Sequence, residues 1–311
     1  MKHVYFRLMV TMLLLLIFSF SYSQIVGTSG FLKTQRIELG VNGNGTYITE
    51  EVPPEGYHFG DALYAGMVAD ADKDGWAEGD PAYCGDYFAP GSPVEGFVMQ
   101  VGSDIYTNDF TITEIPGFLN KYISDVSNLS ITWHGYINDH QIDVRQRTDI
   151  KPGRTSAFTH ITLFNRSDET INDIYYTRNC DPDQDVLWSG DFSTNNIVIE
   201  NFPADDRAIV TAEGTTYGCF LGMGSLQSYA RVSYGGFSTD GITPAEAWNG
   251  ISPHINSGSA TSDEAITISF YVPTLASGES VVLIFAYGTL DRELDEDLRL
   301  TTDEIAEQIA A

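Results

Sequence analysis

The chain is 311 residues long and 42% hydrophobic, with 43 acidic against 16 basic side chains and a formal charge of −27 at pH 7. A field of that sign repels phosphate backbones and anionic bilayers. Nucleic-acid binding is excluded on that ground, and divalent cations, basic surfaces and neutral glycans are left as partners.

Taken in chain order, residues 1–23 read as an export signal. Lys2 and Arg7 precede an apolar run from Leu8 to Phe18, and Ser21-Tyr22-Ser23 offers small residues on the leader side of a cleavage point before Gln24. The run is too short for a comfortable membrane span, and no Cys follows it to carry a lipid. Loss of this leader removes two basic side chains and takes the formal charge to −29. The expected address is secreted or on the extracellular surface, with the periplasm as the alternative, and no membrane span is expected in the mature chain.

Residues 24–290 read as β-structure. Phe97 to Val101, Leu129 to Tyr136, Asn196 to Glu200, Ala208 to Thr211 and Ala230 to Tyr234 are strand candidates. Thr159, Ile161 and Leu163 alternate with their neighbours at period 2, and Asn165 to Glu169 supplies turn chemistry before a returning strand from Ile171 to Arg178. The same design recurs from Ala265 to Val272 and from Ser280 to Tyr287. Twenty-nine glycines punctuate the region, and helical periodicity is absent from it. The expected fold is all-β: one large antiparallel β-sandwich, supersandwich-like, or two fused sandwiches. Residues 291–311 turn rich in Asp, Glu, Leu and Ala, and Thr301 with Glu304 makes a capping box, so a short acidic C-terminal helix closes the chain.

Three cysteines, Cys84, Cys180 and Cys219, in an oxidising compartment permit one disulfide and leave one thiol, with three pairings open. No two of them have zinc-ligand spacing.

The pattern with the most definite chemistry is Asp70-Ala71-Asp72-Lys73-Asp74-Gly75-Trp76-Ala77-Glu78-Gly79-Asp80. Alternating carboxylates with a glycine at the bend wrap oxygen ligands around a hard cation, so Asp70, Asp72, Asp74, Trp76 through its carbonyl, Glu78 and Asp80 are candidate Ca²⁺ ligands. Pro81 stands where an EF-hand places its closing Glu, which makes this an open variant. The competing reading is an acidic turn whose Asp side chains cap their own backbone. Asp181, Asp183 and Asp185 form a second candidate cation site, with Arg178 available to pair with one of them.

No catalytic signature accompanies these groups. The histidines form no H-x-H or H-E-x-x-H pattern, and no G-x-S-x-G elbow occurs. His134 and His140, the latter near Arg145 and Arg147, are the residues a lyase or epimerase could use. Trp76, Trp188 and Trp248 lie in Gly/Asp-rich stretches and are candidates for stacking on sugar rings.

Four segments carry a resemblance: Gly40-Val41-Asn42-Gly43-Asn44-Gly45, Tyr83-Cys84-Gly85-Asp86-Tyr87-Phe88, Tyr175-Tyr176-Thr177-Arg178-Asn179-Cys180-Asp181-Pro182-Asp183 and Tyr217-Gly218-Cys219-Phe220-Leu221-Gly222. Over nearly the whole mature length the chain resembles a secreted β-module of large cell-surface adhesion proteins in gliding Bacteroidota. The resemblance implies a surface role without implying a defined activity. The expected function is non-catalytic recognition or adhesion, directed at a glycan or a cell-surface protein and stabilised by calcium. A polysaccharide-active lyase, hydrolase or epimerase is the alternative, and a structural subunit of an envelope assembly is the third reading.

Overall fold

A computed structural model describes residues 22–59, 64–77, 83–124, 127–201, 207–291 and 293–299. The expected export signal up to residue 21, Glu78 and Asp80 of the acidic loop, and the expected Thr301/Glu304 capping box lie outside these residues.

The fold is built from antiparallel sheets. A nine-stranded sheet runs in the order β16 (Gly258–Ser262), β12 (Thr194–Glu200), β13 (Ala208–Gly214), β14 (Phe220–Ser225), β18 (Ser280–Gly288), β10 (Ser156–Asn165), β9 (Ile142–Ile150), β8 (Leu129–Ile137), β7 (Gly117–Ser124). A five-stranded sheet runs in the order β15 (Ala230–Tyr234), β17 (Ile266–Leu275), β11 (Ile171–Cys180), β5 (Glu95–Val101), β6 (Asp104–Asn108). A four-stranded meander of β1 (Tyr22–Val26), β2 (Ser29–Lys33), β3 (Ile37–Val41) and β4 (Met67–Ala69) adjoins the β7–β8 end of the large sheet. The β1 strand spans the expected cleavage point, pairing Tyr22 with Lys33 and Gln24 with Phe31.

The period-2 pattern of β10 explains how one strand serves two layers. Ala157, Ile161 and Leu163 enter the inter-sheet core with Leu283 and Phe285 of β18. On the opposite face Phe158 meets Ile209 and Ala286, and this patch is covered by Leu294 and Leu298 of a short C-terminal helix over residues 293–299. Each of those leucines is 2% exposed, so each contributes about 1.5–3 kcal/mol by burial. The acidic helix therefore packs, and Arg207–Asp295 and Arg154–Glu296 pairs fasten its rim.

One continuous cluster of buried apolar residues reaches from Leu32 in β2 to Tyr287 in β18, so the two main sheets share a single core. A charged group crosses it. Arg178 and Glu95, both fully buried, form a bidentate pair between neighbouring strands β11 and β5. The guanidinium also donates to Gly45 O at 3.1 Å and Gln146 Oε1 at 3.0 Å, and lies 4.1 Å from the Tyr47 ring centroid. Arg178 thus belongs to Glu95 and not to the Asp181–Asp185 run, because its strand position turns it into the core. Among the described residues, two short α-helices, Val186–Ser189 and Pro244–Asn249, interrupt the β-region. At four and six residues they are too short to leave a periodicity in the sequence.

Candidate functional site

The β11 strand ends at Cys180, and the next residues leave the sheet under close restraint. Asp181 N–H donates to Val94 O at 2.9 Å, and Asp183 N–H donates to Tyr87 O at 3.0 Å. The segment is therefore laid onto the loop that runs from Tyr83 to Val94. That loop is organised by the buried Asp86 carboxylate, which accepts backbone N–H bonds from Gly66, Met67, Phe88 and Ala89. Burial pushes its pKa up to about 6 even against those four donors. A Cys84–Cys219 disulfide ties the same loop to the start of β14. Gln184 Nε2 then donates to Ala212 O at 3.1 Å and Cys219 O at 3.0 Å, fixing the Asp181–Asp185 run from the other side. Cys180 is the free, buried thiol.

Asp263 comes from a different direction. It follows β16 at the edge of the nine-stranded sheet and precedes β17 of the five-stranded sheet, on the crossover between layers. Asp181, Asp183 and Asp263 each offer a ligand oxygen, and these atoms lie within 4.8 Å of one another. Asp181 is 8% exposed and Asp183 2% exposed, whereas Asp263 is exposed. The three carboxylates open into a cavity of about 370 Å³ that Asp240, Phe192 and Phe237 also line. Asn179, the penultimate residue of β11, shapes that wall by accepting from Ser238 N–H at 2.8 Å and donating to Gly236 O at 3.1 Å.

Packing carboxylates this closely in a half-dry pocket is costly unless their charge is compensated. Burial raises the pKa of Asp181, and the neighbouring Asp263 charge adds to the rise. Burial raises Asp183 as well, with Asp181 and Asp263 pushing the same way. Asp183 Oδ1 is buried with no hydrogen-bond partner. An all-oxygen set with an unmatched buried lone pair suits a hard cation such as Ca²⁺, which would replace the shared protons.

Asp185 does not join this group. It sits in left-handed backbone, φ 63°, before the Val186–Ser189 helix, its N–H donating to Cys84 O and its side chain against Gly214. Asp263 takes the place the sequence assigns to Asp185, because alternate residues beyond a strand end need not stay on one side.

Within residues 70–77 the Asp side chains of the acidic loop cap their own backbone. Asp70 accepts N–H bonds from Asp74 and Gly75 at 3.1 Å each and pairs with the Arg36 guanidinium. Asp74 accepts from Ala77 N–H, Asp72 is exposed, and Lys73 pairs with Glu293 of the C-terminal helix. Arg36 supplies the positive charge a cation would bring, and among the described residues Asp70, Asp72 and Asp74 form no common ligand cage.

Trp76 and Trp188 come together on either side of Tyr83, with ring centroids at 5.7 Å and 5.8 Å from it. Trp76 stacks on His58 at 4.0 Å, and His58 Nδ1 lies 2.7 Å from the buried Glu38 carboxylate. Trp248 is elsewhere, beside Tyr271 and beneath Arg231, with its Nε1 donating to Tyr229 O. His134 and His140 face Asp143 and Asp104, and among the described residues no histidine lines the acidic cavity. Asp263, Asp240, Phe192 and Phe237 escaped sequence reasoning. Nothing local in the sequence around Asp263 ties it to Asp181.

The disulfide belongs to an oxidising compartment, and among the described residues no helix is long and apolar enough to cross a membrane. No protein-family model and no curated protein matches the chain. Among solved structures, a bacterial glucoamylase complexed with acarbose aligns at TM-score 0.47 and 12% identity, over 89% of this chain and 32% of that one. A galactose mutarotase-like protein from Clostridium acetobutylicum aligns at 0.39 and 9%, over 88% and 99%. An inverting mannosidase from Bacteroides thetaiotaomicron aligns at 0.36 and 13%, over 85% and 31%. The chain thus spans about a third of the glucoamylase and of the mannosidase.

Proposed function

We propose that this is an exported, calcium-dependent carbohydrate-recognition protein acting at or beyond the cell surface. The observation that carries the reading is the convergence of Asp181, Asp183 and Asp263 within 4.8 Å in the lining of a cavity that Phe192 and Phe237 also line. Bound calcium keeps coordination positions free on its cavity side, since three carboxylates do not fill a shell of six to eight oxygens. Neighbouring hydroxyls of a sugar supply such oxygens in the right geometry, and the phenylalanine rings offer apolar surface to the C–H face of the same sugar. Calcium orients the ligand and no bond is broken. The test is binding of a glycan array in CaCl₂ and in EDTA, with wild type and Asp183→Asn. Calcium-dependent retention that Asp183→Asn abolishes supports the reading; equal retention in EDTA ends it.

One observation favours a second reading. Burial, with Asp181 and Asp263 pushing the same way, raises the pKa of Asp183 beside a second carboxyl, and a carboxylic acid raised in this way can protonate a glycosidic oxygen. Hydrolysis or elimination products released from polysaccharides in EDTA would favour the enzyme.

A further inference from the structure

We infer that the sugar taken by the acidic cavity carries a protonated amine, so that the site selects a hexosamine over neutral sugars and uronates, with Asp240 reading the positive charge. This rests on the carbohydrate reading and adds the charge class of the ligand and a specificity-determining residue.

Asp240 lies outside the three-carboxylate cluster but is held to the same frame. It ends the 3₁₀ turn Ser238–Asp240, and the segment leading into that turn is tied down twice. Gly235 N–H donates to Ala265 O at 2.8 Å, just beyond Asp263 in the chain. Ser238 N–H donates to Asn179 Oδ1 at 2.8 Å, just before Asp181. Asn179 is fully buried in β11, and its Nδ2 donates to Thr267 Oγ1 at 2.8 Å. The turn is thus stitched both to the strand that presents Asp181 and to the connection that presents Asp263. The fourth carboxylate has a set place in the cavity lining.

The charge of that lining is unbalanced. Asp181, Asp183 and Asp263 each offer an oxygen to one cation. Asp183 is 2% exposed, and its Oδ1 has no hydrogen-bond partner, which points independently to a bound ligand. A divalent ion on these three leaves one formal negative charge at the cluster, and the exposed Asp240 adds a second. Among the described residues no basic side chain lines the cavity, whereas Val94, Phe192 and Phe237 do. Apolar walls around charges of one sign focus the field and concentrate cations. A volume of about 370 Å³ equals a sphere about 9 Å across, close to the screening length of about 8 Å at physiological salt. A ligand inside therefore feels Asp240 and the cluster together.

Size and charge define the ligand between them. The cavity stands at the small end of the usual range of about 300–1,000 Å³, which suits one sugar unit or a chain terminus. Hydroxyls of that unit complete the calcium shell. An ammonium on the same ring meets the remaining negative charge. A neutral sugar gains nothing from Asp240, and a uronate is repelled by it.

The experiment is calorimetric titration in CaCl₂ at about pH 7, where such an amine is largely protonated. The ligands are glucosamine and galactosamine, their N-acetyl forms, the parent hexoses, the matching uronates and n-butylamine. Wild type is compared with Asp240→Asn, verified as folded by its melting transition. The amino sugars are expected to bind about fivefold more tightly than the N-acetyl forms and hexoses, with the uronates weakest. In Asp240→Asn the preference should disappear while hexose affinity holds. An N-acetyl form or hexose that matches its amino sugar overturns the amine assignment and leaves carbohydrate recognition standing. A preference undiminished in Asp240→Asn overturns the role of that residue. Butylamine binding as tightly as glucosamine, with the hexoses unbound, overturns the carbohydrate reading, as does absence of binding by every sugar.

Discussion

Asp183 and Asp263 reach the same point from different sheets, Asp183 from beyond the end of β11 in the five-stranded sheet and Asp263 from beyond the end of β16 in the nine-stranded one. A cation held between them would clasp the two layers at their edge. Calcium binding and stability are for that reason expected to be coupled.

That coupling sets the first prediction. Extracellular sites of this kind bind in the range of about 10⁻⁴ to 10⁻³ M, so 10 mM calcium, written as about ten to a hundred times the dissociation constant, should raise the melting temperature by about 3–10 °C. Asp183→Asn should abolish the rise and leave the metal-free melting temperature equal or higher, since it removes a buried, repelled carboxylate. Asp72→Ala with Asp74→Ala should leave the rise intact, because that loop is closed by Arg36. Differential scanning calorimetry in CaCl₂, MgCl₂ and EDTA checks all three.

The pH dependence follows from the raised carboxyls. Asp86 titrates at about 6 in the folded protein against an ordinary 3.8. The folded state thus holds this proton more tightly, and the stability it lends is full below about pH 4 and lost as pH rises through about 6. Burial moves Asp181 and Asp183 in the same direction and extends the loss further toward alkaline pH. In EDTA these groups should therefore pull the melting temperature down as pH rises from about 4 to neutrality. The calcium-induced rise should grow over the same interval, as the metal replaces protons. Melts at stepped pH with and without calcium decide it; a calcium effect that shrinks with rising pH contradicts the assignment.

Much of the fold was legible in the sequence and much of the site was not, for a physical reason. Strands such as β10 and β17 announce themselves because their runs of β-branched and aromatic residues are local and bounded by turn residues. The β9 strand was missed because Gln146 and Thr148 interrupt the apolar face that Ile142, Val144 and Ile150 share opposite Asp143, Arg145 and Arg147. Asp181 and Asp183 were found by spacing, yet their partner Asp263 is set by how β16 crosses to β17, which no window of sequence contains. Similarly, the acid spacing of the Asp70 loop suggests a ligand cage until Arg36 arrives from a neighbouring strand connection.

The core ion pair should be intolerant of losing one partner. Arg178→Leu leaves Glu95 fully buried with its principal counter-charge gone, at a cost of about 3–5 kcal/mol. Urea unfolding of the variant measures the loss. A change below about 1 kcal/mol would mean that the Tyr47 N–H and Tyr287 O–H, which both donate to the Glu95 carboxylate, accommodate the remaining charge.

The disulfide should matter to both stability and the site. It closes a separation of 135 residues, and its removal by Cys84→Ser with Cys219→Ser should cost about 2–5 kcal/mol. The carbonyls of Cys84 and Cys219 anchor Asp185 and Gln184, next to Asp183, so calcium affinity should fall together with stability. Chemical denaturation and calcium titration of the double variant test the two effects separately.

The most direct test of the account is a calorimetric calcium titration of wild type and of Asp183→Asn. The account predicts one site in wild type, with protons released on binding near neutral pH, and no site in the variant. A wild-type site that persists in Asp183→Asn, or no calcium binding in wild type, would contradict it.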